Sequence, residues 1–196
     1  MDLLNNALAA LRAKWYLRRA VAVGPKARIW GRPRMAVEGQ LRIGASFQLL
    51  STAATTEIAV AAGGRFLIGD RAYINYGCSF YAGDLIRIGD RCLFGTHVIC
   101  MDNDFHYEEP ELRFRHPPSR PIIVEDDVWV GARVTILKGV TIGRQSVIAA
   151  GSVVARDIPA GVVAAGVPAR VMRPVRGAVP ATITEQDPAN APGVSR

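Results

Sequence analysis

The sequence predicts an all-β protein, a parallel β-helix of hexapeptide repeats with a single helix in front of it. Three observations carry that expectation. Val124, Val130, Ile136, Ile142, Ile148 and Val154 are aliphatic at an unbroken step of six. Four places behind each runs a second column, Val128, Val134, Val140, Ser146, Ser152 and Ile158, small or β-branched throughout. The chain is also 49% hydrophobic but only 7% aromatic, so its core must be assembled from many small aliphatic layers. A step of six matches neither the helical period nor the two-residue period of an ordinary strand. It fits a coil of three hexads that closes a triangle, with the two columns stacking inward from coil to coil.

From the N-terminus, Leu4, Leu8, Leu11 and Trp15 recur at helical spacing and predict a helix over roughly residues 2–19 with these four on one face. Arg12, Lys14, Arg18 and Arg19 fall largely off that stripe. The segment reads as a cap over the open end of the stack or against a neighbouring subunit. The alternative is an interfacial helix in peripheral contact with a membrane, a boundary that suits Trp and Arg. The whole excess behind the net charge of +7 lies here, because residues 1–42 carry nine Lys and Arg against two acids. A basic segment of this kind is solvated, or meets an anionic membrane or a phosphate-bearing partner. Aromatic interleaving stops at Trp15, Tyr16 and Trp30, so no nucleic acid is expected as partner. No apolar run reaches a spanning length of about 18 residues, and the first charges follow the apolar residues, unlike a signal peptide. The expected location is cytoplasmic, with the inner membrane surface as the peripheral alternative.

The expected domain layout is a helix at 1–20, a β-helix at 21–172 with a loop inserted at 101–121, and a flexible tail at 173–196. Val37, Ile43 and Leu49 follow the repeat loosely and predict the first coils. Ile68, Ile74 and Phe80 step by six; two extra residues then reset the register to Ile88, Phe94 and Cys100. Ala72, Cys78, Cys92 and Val98 take the small inward positions. Cys78 and Cys92 therefore act as small hydrophobes, and with Cys100 they make an odd number without metal-knuckle spacing; neither a disulfide nor a metal is expected. Beyond Val154 the text leaves the hexad, and the last twenty residues are rich in Ala, Pro and Thr.

The repeat breaks once, at CMDNDFHYEEPELRFRHPPSRP, which leaves the stack at Cys100 and rejoins it at Ile122. A long excursion held at two rigid points favours function. It sets His106 among Asp102, Asp104, Glu108, Glu109 and Glu111. A carboxylate or a backbone carbonyl on one ring nitrogen would leave the other as a base. His116 reads as a surface group, and His97, within a hexad, as a packing or intersubunit residue. Three histidines spaced by nine and ten residues do not form the set that a zinc-dependent carbonic anhydrase on this fold needs.

The hexads, the histidine-bearing loop, VWVGARVTILKGVTIG, GSVVARDIP and AAGVPARV together resemble the left-handed β-helix acyltransferases. The likeness, over about residues 65–173, is to the galactoside and maltose O-acetyltransferase type and the cell-surface polysaccharide acetyltransferases. It implies a homotrimer using acetyl-CoA, without a metal, to acetylate a hydroxyl of a saccharide, a nucleotide-sugar or a lipid-linked sugar. His106 matches the general base. Asn75 matches an acceptor-binding asparagine, with Tyr73 close by. Trp129, with Gly131 beside it, matches the acyl-CoA channel, and the amide of Ala132 a donor to the thioester oxygen. Ala150 and Ala155 match small positions along the pantetheine arm. Arg156, Arg170 and Arg173 match basic residues near the CoA phosphates. Tyr81-Ala82-Gly83 replaces an acidic position of the galactoside and maltose enzymes, and the N-terminal region differs too. The acceptor therefore points toward surface polysaccharide or its precursors. The rival readings are N-acetylation of a nucleotide-linked amino sugar and a non-catalytic β-helix scaffold.

Overall fold

Aliphatic residues six apart all point inward only if the chain turns a corner between them, and it does. In the computed structural model, which describes residues 3–178, the strands fall into three sheets that form the faces of a triangular parallel β-helix. The first face is built from Ala22–Val23, Gln40–Ile43, Arg65–Ile68, Leu85–Ile88, Ile122–Val124 and Thr141–Ile142. The second holds Arg28–Gly31, Gln48–Ser51, Tyr73–Ile74, Leu93–Phe94, Trp129–Val130 and Val147–Ile148, then Val162–Gly166 and Ala169–Pro174. The third holds Arg34–Val37, Glu57–Val60, Ser79–Ala82, Ile99–Met101, Thr135–Ile136 and Val153–Val154. Pairing is parallel throughout except at the end, where Ala169–Pro174 folds back antiparallel on Val162–Gly166. The hexad thus ends in a hairpin whose second strand runs to Pro174, past the expected boundary at 172. The rest of the proposed tail, 179–196, lies outside the described residues.

Both predicted columns are buried along their whole length. Each buried Val or Ile is worth about 1.5–3 kcal/mol, so these columns dominate the stability of the prism. Aromatic residues take a larger part than composition suggested. Phe47, Phe66, Phe80 and Phe94 are fully buried, and the last three pack in series, Phe66 tilted against Phe80 at 5.3 Å and Phe80 edge-on to Phe94 at 5.7 Å. They lie in the early coils, whose strands are mostly four residues long against two in the later ones, so the wider triangle needs larger filling. The two extra residues before Ile88 belong to these wider coils. Between the first and second faces, an aspartate at each level accepts the amide of the coil before it. Asp70 binds Ala45 N–H at 2.7 Å, Asp90 binds Asp70 N–H at 2.7 Å, and Asp126 binds Asp90 N–H at 2.9 Å.

The helix, Leu3–Tyr16, covers the open end against Arg28–Gly31, but not with the face that the spacing selected. Ala9, Ala13 and Leu17 are buried, whereas Leu4, Leu8, Leu11 and Trp15 stand 66%, 41%, 61% and 64% exposed. Small residues win the inner face because they let the helix lie close on the coil end. No helix among the described residues is long and apolar enough to cross a membrane.

Candidate active site

The inserted loop springs from the corner between the third and first faces, and a buried carboxylate anchors it there. Asp102, fully buried, accepts the amides of Gly83, Asp84 and Leu85 at 2.7, 2.8 and 2.9 Å. Its own carbonyl takes the amide of the returning Arg120 at 2.8 Å, and Arg120 O takes Gly139 N–H at 3.0 Å. Loop entry and exit are thereby fixed to the same corner. Asn103 organises the interior: its Nδ2 donates to Pro117 O and Ser119 Oγ, both at 2.9 Å, and its Oδ1 accepts Phe105 N–H. Phe105 sits at φ 64°, uncommon for a side chain of its size, with its ring 4.7 Å from that of Tyr81. Lys138 pairs with Asp104 across the base of the loop.

This framework holds His106. Its Nδ1 lies 2.7 Å from Arg113 O, and its amide donates to Asp104 O at 2.8 Å. A carbonyl oxygen only accepts, so Nδ1 carries a proton, and in the neutral ring Nε2 is the nitrogen with the free lone pair. The orienting group is the backbone carbonyl, not one of the carboxylates around it. His116 is exposed, and His97 is exposed as well, with its ring edge-on to Tyr76 at 5.8 Å.

Most of the other candidate residues gather elsewhere, around the corner between the second and third faces. On the second face the strand register runs Tyr73, Leu93, Trp129, Val147, Val163, Arg173, one outward residue per strand. Trp129 is 54% exposed and Leu93 48%, so an aromatic and aliphatic stripe leads to a guanidinium at its C-terminal end. Arg170 pairs with Ala165 on the same hairpin. At the corner itself Asn75, Gly95, Gly131 and Ala149 stack through backbone bonds from each residue's amide to the coil above. Asn75 Oδ1 accepts the amide of Tyr76. Gly131 and Arg133 donate the bonds that tie their coil into this column; the intervening amide of Ala132 is not among those donors, while Ala132 O accepts Gly151 N–H. A Cβ on Gly95 would meet Ala132 N at 2.6 Å, which is why the coil beneath that amide needs glycine. Ala150 stands at the same corner, exposed.

Ala155 and Arg156 do not belong to this group. They lie at the corner of the loop, one level beyond Leu137 and Lys138, and both are exposed. The candidate residues therefore fall at two separate corners of the chain. His106, Ala155 and Arg156 are at one corner; Tyr73, Asn75, Trp129, Ala132, Ala150 and Arg173 are at or beside the next, with the third face between them. The residues that the sequence reading missed are those that hold His106 and its loop: Asn103, Arg113 through its carbonyl, Lys138, and the Tyr81–Phe105 pair. Only Asn103 left a signal, since Asn within a polar turn commonly binds the backbone two residues on. Among the described residues no three His, Cys, Asp or Glu side chains gather as a metal-binding group.

Residues 121–156 match the family model "Bacterial transferase hexapeptide (six repeats)". The chain is 41% identical over 114 residues to galactoside O-acetyltransferase of Escherichia coli K12, a match covering 58% of this chain and 56% of that one. It is 60% identical over 60 residues to 2,3,4,5-tetrahydropyridine-2,6-dicarboxylate N-acetyltransferase of Clostridium perfringens SM101, covering 30% of this chain and 25% of that one. The chain spans about half the length of the first curated relatives it matches. Among solved structures, a galactoside acetyltransferase in complex with coenzyme A superposes with a TM-score of 0.62 at 31% identity, over 84% of this chain and 70% of that one. With the stacked hexads, the excursion and that whole-fold likeness in agreement, the chain belongs to the hexapeptide-repeat acyltransferase family, of the galactoside acetyltransferase type.

Proposed function

We propose that the protein transfers the acetyl group of acetyl-CoA to a hydroxyl of a saccharide, with His106 as general base. The observation that carries this reading is the 2.7 Å contact between His106 Nδ1 and Arg113 O, which presents Nε2 as an acceptor. Nε2 takes the proton of the acceptor hydroxyl as its oxygen attacks the thioester carbon. The Ala132 amide steadies the oxygen that gains charge. When the carbon–sulfur bond breaks, the imidazolium returns its proton to the CoA sulfur, leaving an ester and free CoA thiol. A positioned base supplies about 10²–10⁴-fold and an oxyanion donor a comparable factor, on top of holding the two reactants in line.

The stripe of Trp129, Val147 and Val163 suits the apolar part of a pantetheine arm, Gly131, Ala132, Ala150 and Ala155 leave room for it, and Arg156, Arg170 and Arg173 suit its phosphates. Asn75 and Tyr73 bind the acceptor. The separation of the candidate residues between two corners favours a homotrimer in which His106 of one protomer faces Asn75 and Trp129 of the next. The Tyr81–Phe105 pair beside the base favours a sugar presenting an apolar ring face, as in surface polysaccharide or its nucleotide- or lipid-linked precursors. A second reading, transfer to the amine of a nucleotide-linked amino sugar, is favoured by the 60-residue match to an N-acetyltransferase. The test is release of CoA thiol from acetyl-CoA with a panel of saccharides, nucleotide-sugars and amino sugars. Product from hydroxyl acceptors supports the first reading; product from amines alone replaces it with the second. No turnover with any acceptor, together with no acetyl-CoA binding, leaves a scaffold.

A further inference from the structure

We propose that the outer face of the N-terminal helix docks on a membrane surface bearing anionic phospholipid headgroups. Having set Ala9 and Ala13 against the prism, the helix leaves Leu4, Leu8, Leu11 and Trp15 as one exposed stripe. At the helical step of about 100° per residue, Arg12 and Lys14 fall on opposite sides of that stripe. The turn that follows adds Arg18 and Arg19. Arg18 lies over the Trp15 ring, 4.3 Å from its centroid, and donates to Trp15 O at 2.8 Å. An apolar strip edged by cations, with an indole at its end, lets the strip enter the acyl boundary while the cations remain among phosphates.

Charge complementarity selects lipid over a second copy of this chain. The helix Leu3–Tyr16 contains no acidic residue, so laying this face against its own copies would bring their arginines together with nothing on the helix to answer them. A depression beside the stripe, lined by Arg12, Arg32, Ser51, Thr52 and Thr55, contains donors suited to a phosphodiester and no carboxylate. The first 42 residues carry the entire charge excess of the chain, which turns this end of the prism toward a negative surface. The inference does not rest on the acetyl-transfer proposal, and either stands if the other fails.

The test is co-sedimentation of the full chain with phosphatidylcholine vesicles, with and without about one-third phosphatidylglycerol. The expected result is binding to the anionic vesicles that weakens with salt. It should fall about tenfold or more in Leu8→Gln/Trp15→Gln, and about fivefold for each cation removed in Arg18→Gln/Arg19→Gln. All four side chains replaced are exposed, so both double variants should melt where the parent does. Absence of binding, or binding unchanged in Leu8→Gln/Trp15→Gln, overturns the proposal. So does self-association that this double variant abolishes while vesicles bind neither form, because the face would then join copies of the chain.

Discussion

The Nδ1 atom of His106 is held 2.7 Å from the carbonyl oxygen of Arg113, seven residues further along the same loop. A backbone acceptor cannot be protonated or titrated away, so it fixes the tautomer more durably than one of the exposed carboxylates nearby would. The surrounding loop is held by contacts of its own: Asp102 ties its base, Asn103 spans its interior and Lys138 holds Asp104. The catalytic assignment is therefore separable from the fold. His106→Ala removes an exposed ring that no core residue depends on. Turnover should fall by at least about a hundredfold, with acetyl-CoA affinity and melting temperature close to the parent's. Steady-state kinetics beside direct acetyl-CoA titration decide it; near-normal turnover ends the role of His106.

Asp102 should behave in the opposite way. Three amides converge on its buried carboxylate, and Asp102→Ala leaves all three without an acceptor inside the protein. The cost is about 3 kcal/mol or more, read as a lower denaturant midpoint, with faster proteolysis within 101–121. Asp102→Asn retains one acceptor oxygen but turns an NH₂ toward a donor, so it should fall between the two. An unchanged midpoint in the alanine variant would mean that the loop is anchored some other way.

These two residues mark how much was legible in the sequence. The periodicity of Val124 to Val154 gave the fold, because a buried column tolerates few side chains and so writes its spacing directly into the chain. The loop announced itself as an interruption, and His106 as its titratable centre. The carbonyl partner could not be read, since backbone geometry leaves no letter in the sequence. Asp102 looked like one more acid beside the histidine, because nothing in the sequence separates a carboxylate that accepts buried amides from one facing water. The helix misled for a related reason. Leu and Trp at helical spacing ordinarily mark the inner face, but close approach to a coil end is a steric demand that Ala9 and Ala13 meet better. The split of the candidate residues between two corners was invisible as well, because placing residues at one corner or the next requires the register.

The thiols supply a pH test. Burial pushes Cys78 and Cys92 from 9.0 up to about 11, and Cys100, fully buried, further still. A raised folded-state value favours the native state wherever the thiols are protonated in both states. That contribution is complete below pH 9.0 and is lost as pH rises toward about 11, where the unfolded chain ionises first. Melting temperature should accordingly drop across this interval, and Cys78→Ser/Cys92→Ser should flatten the drop. Iodoacetamide should leave the native protein unlabelled under mildly alkaline conditions and label three thiols once it is unfolded. Rapid labelling of the native protein would contradict the buried positions.

Arg170 and Arg173 extend from the hairpin and, among the described residues, donate only to backbone oxygens, Ala169 O and Pro174 O at 3.1 Å each. If they meet the phosphates of the cosubstrate, Arg170→Ala/Arg173→Ala raises KM for acetyl-CoA by about tenfold or more and leaves kcat nearly unchanged. The same pair should make little difference to acetylpantetheine, which lacks the phosphates. An equal loss with both donors would assign the arginines a structural role.

The separation of His106 from Asn75 leads to a test that no single variant provides. His106 and Asn75 occupy different corners of one chain, so the proposed site between neighbours would take its base from one chain and its acceptor ligand from the next. In the proposed trimer, His106→Ala and Asn75→Ala should each be nearly inactive when pure. When the two are co-expressed in equal amounts, a site regains both groups wherever an Asn75→Ala protomer supplies the histidine and its His106→Ala neighbour the asparagine. Random assembly places that ordered pair at about one site in four, so activity should return to about a quarter of the parent's. If both groups of a working site came from the same protomer, every site in the mixture would remain defective and activity would stay at the level of the pure variants. Recovery in the mixture, absent when the separately purified proteins are combined too briefly to exchange subunits, would assign the site to the interface.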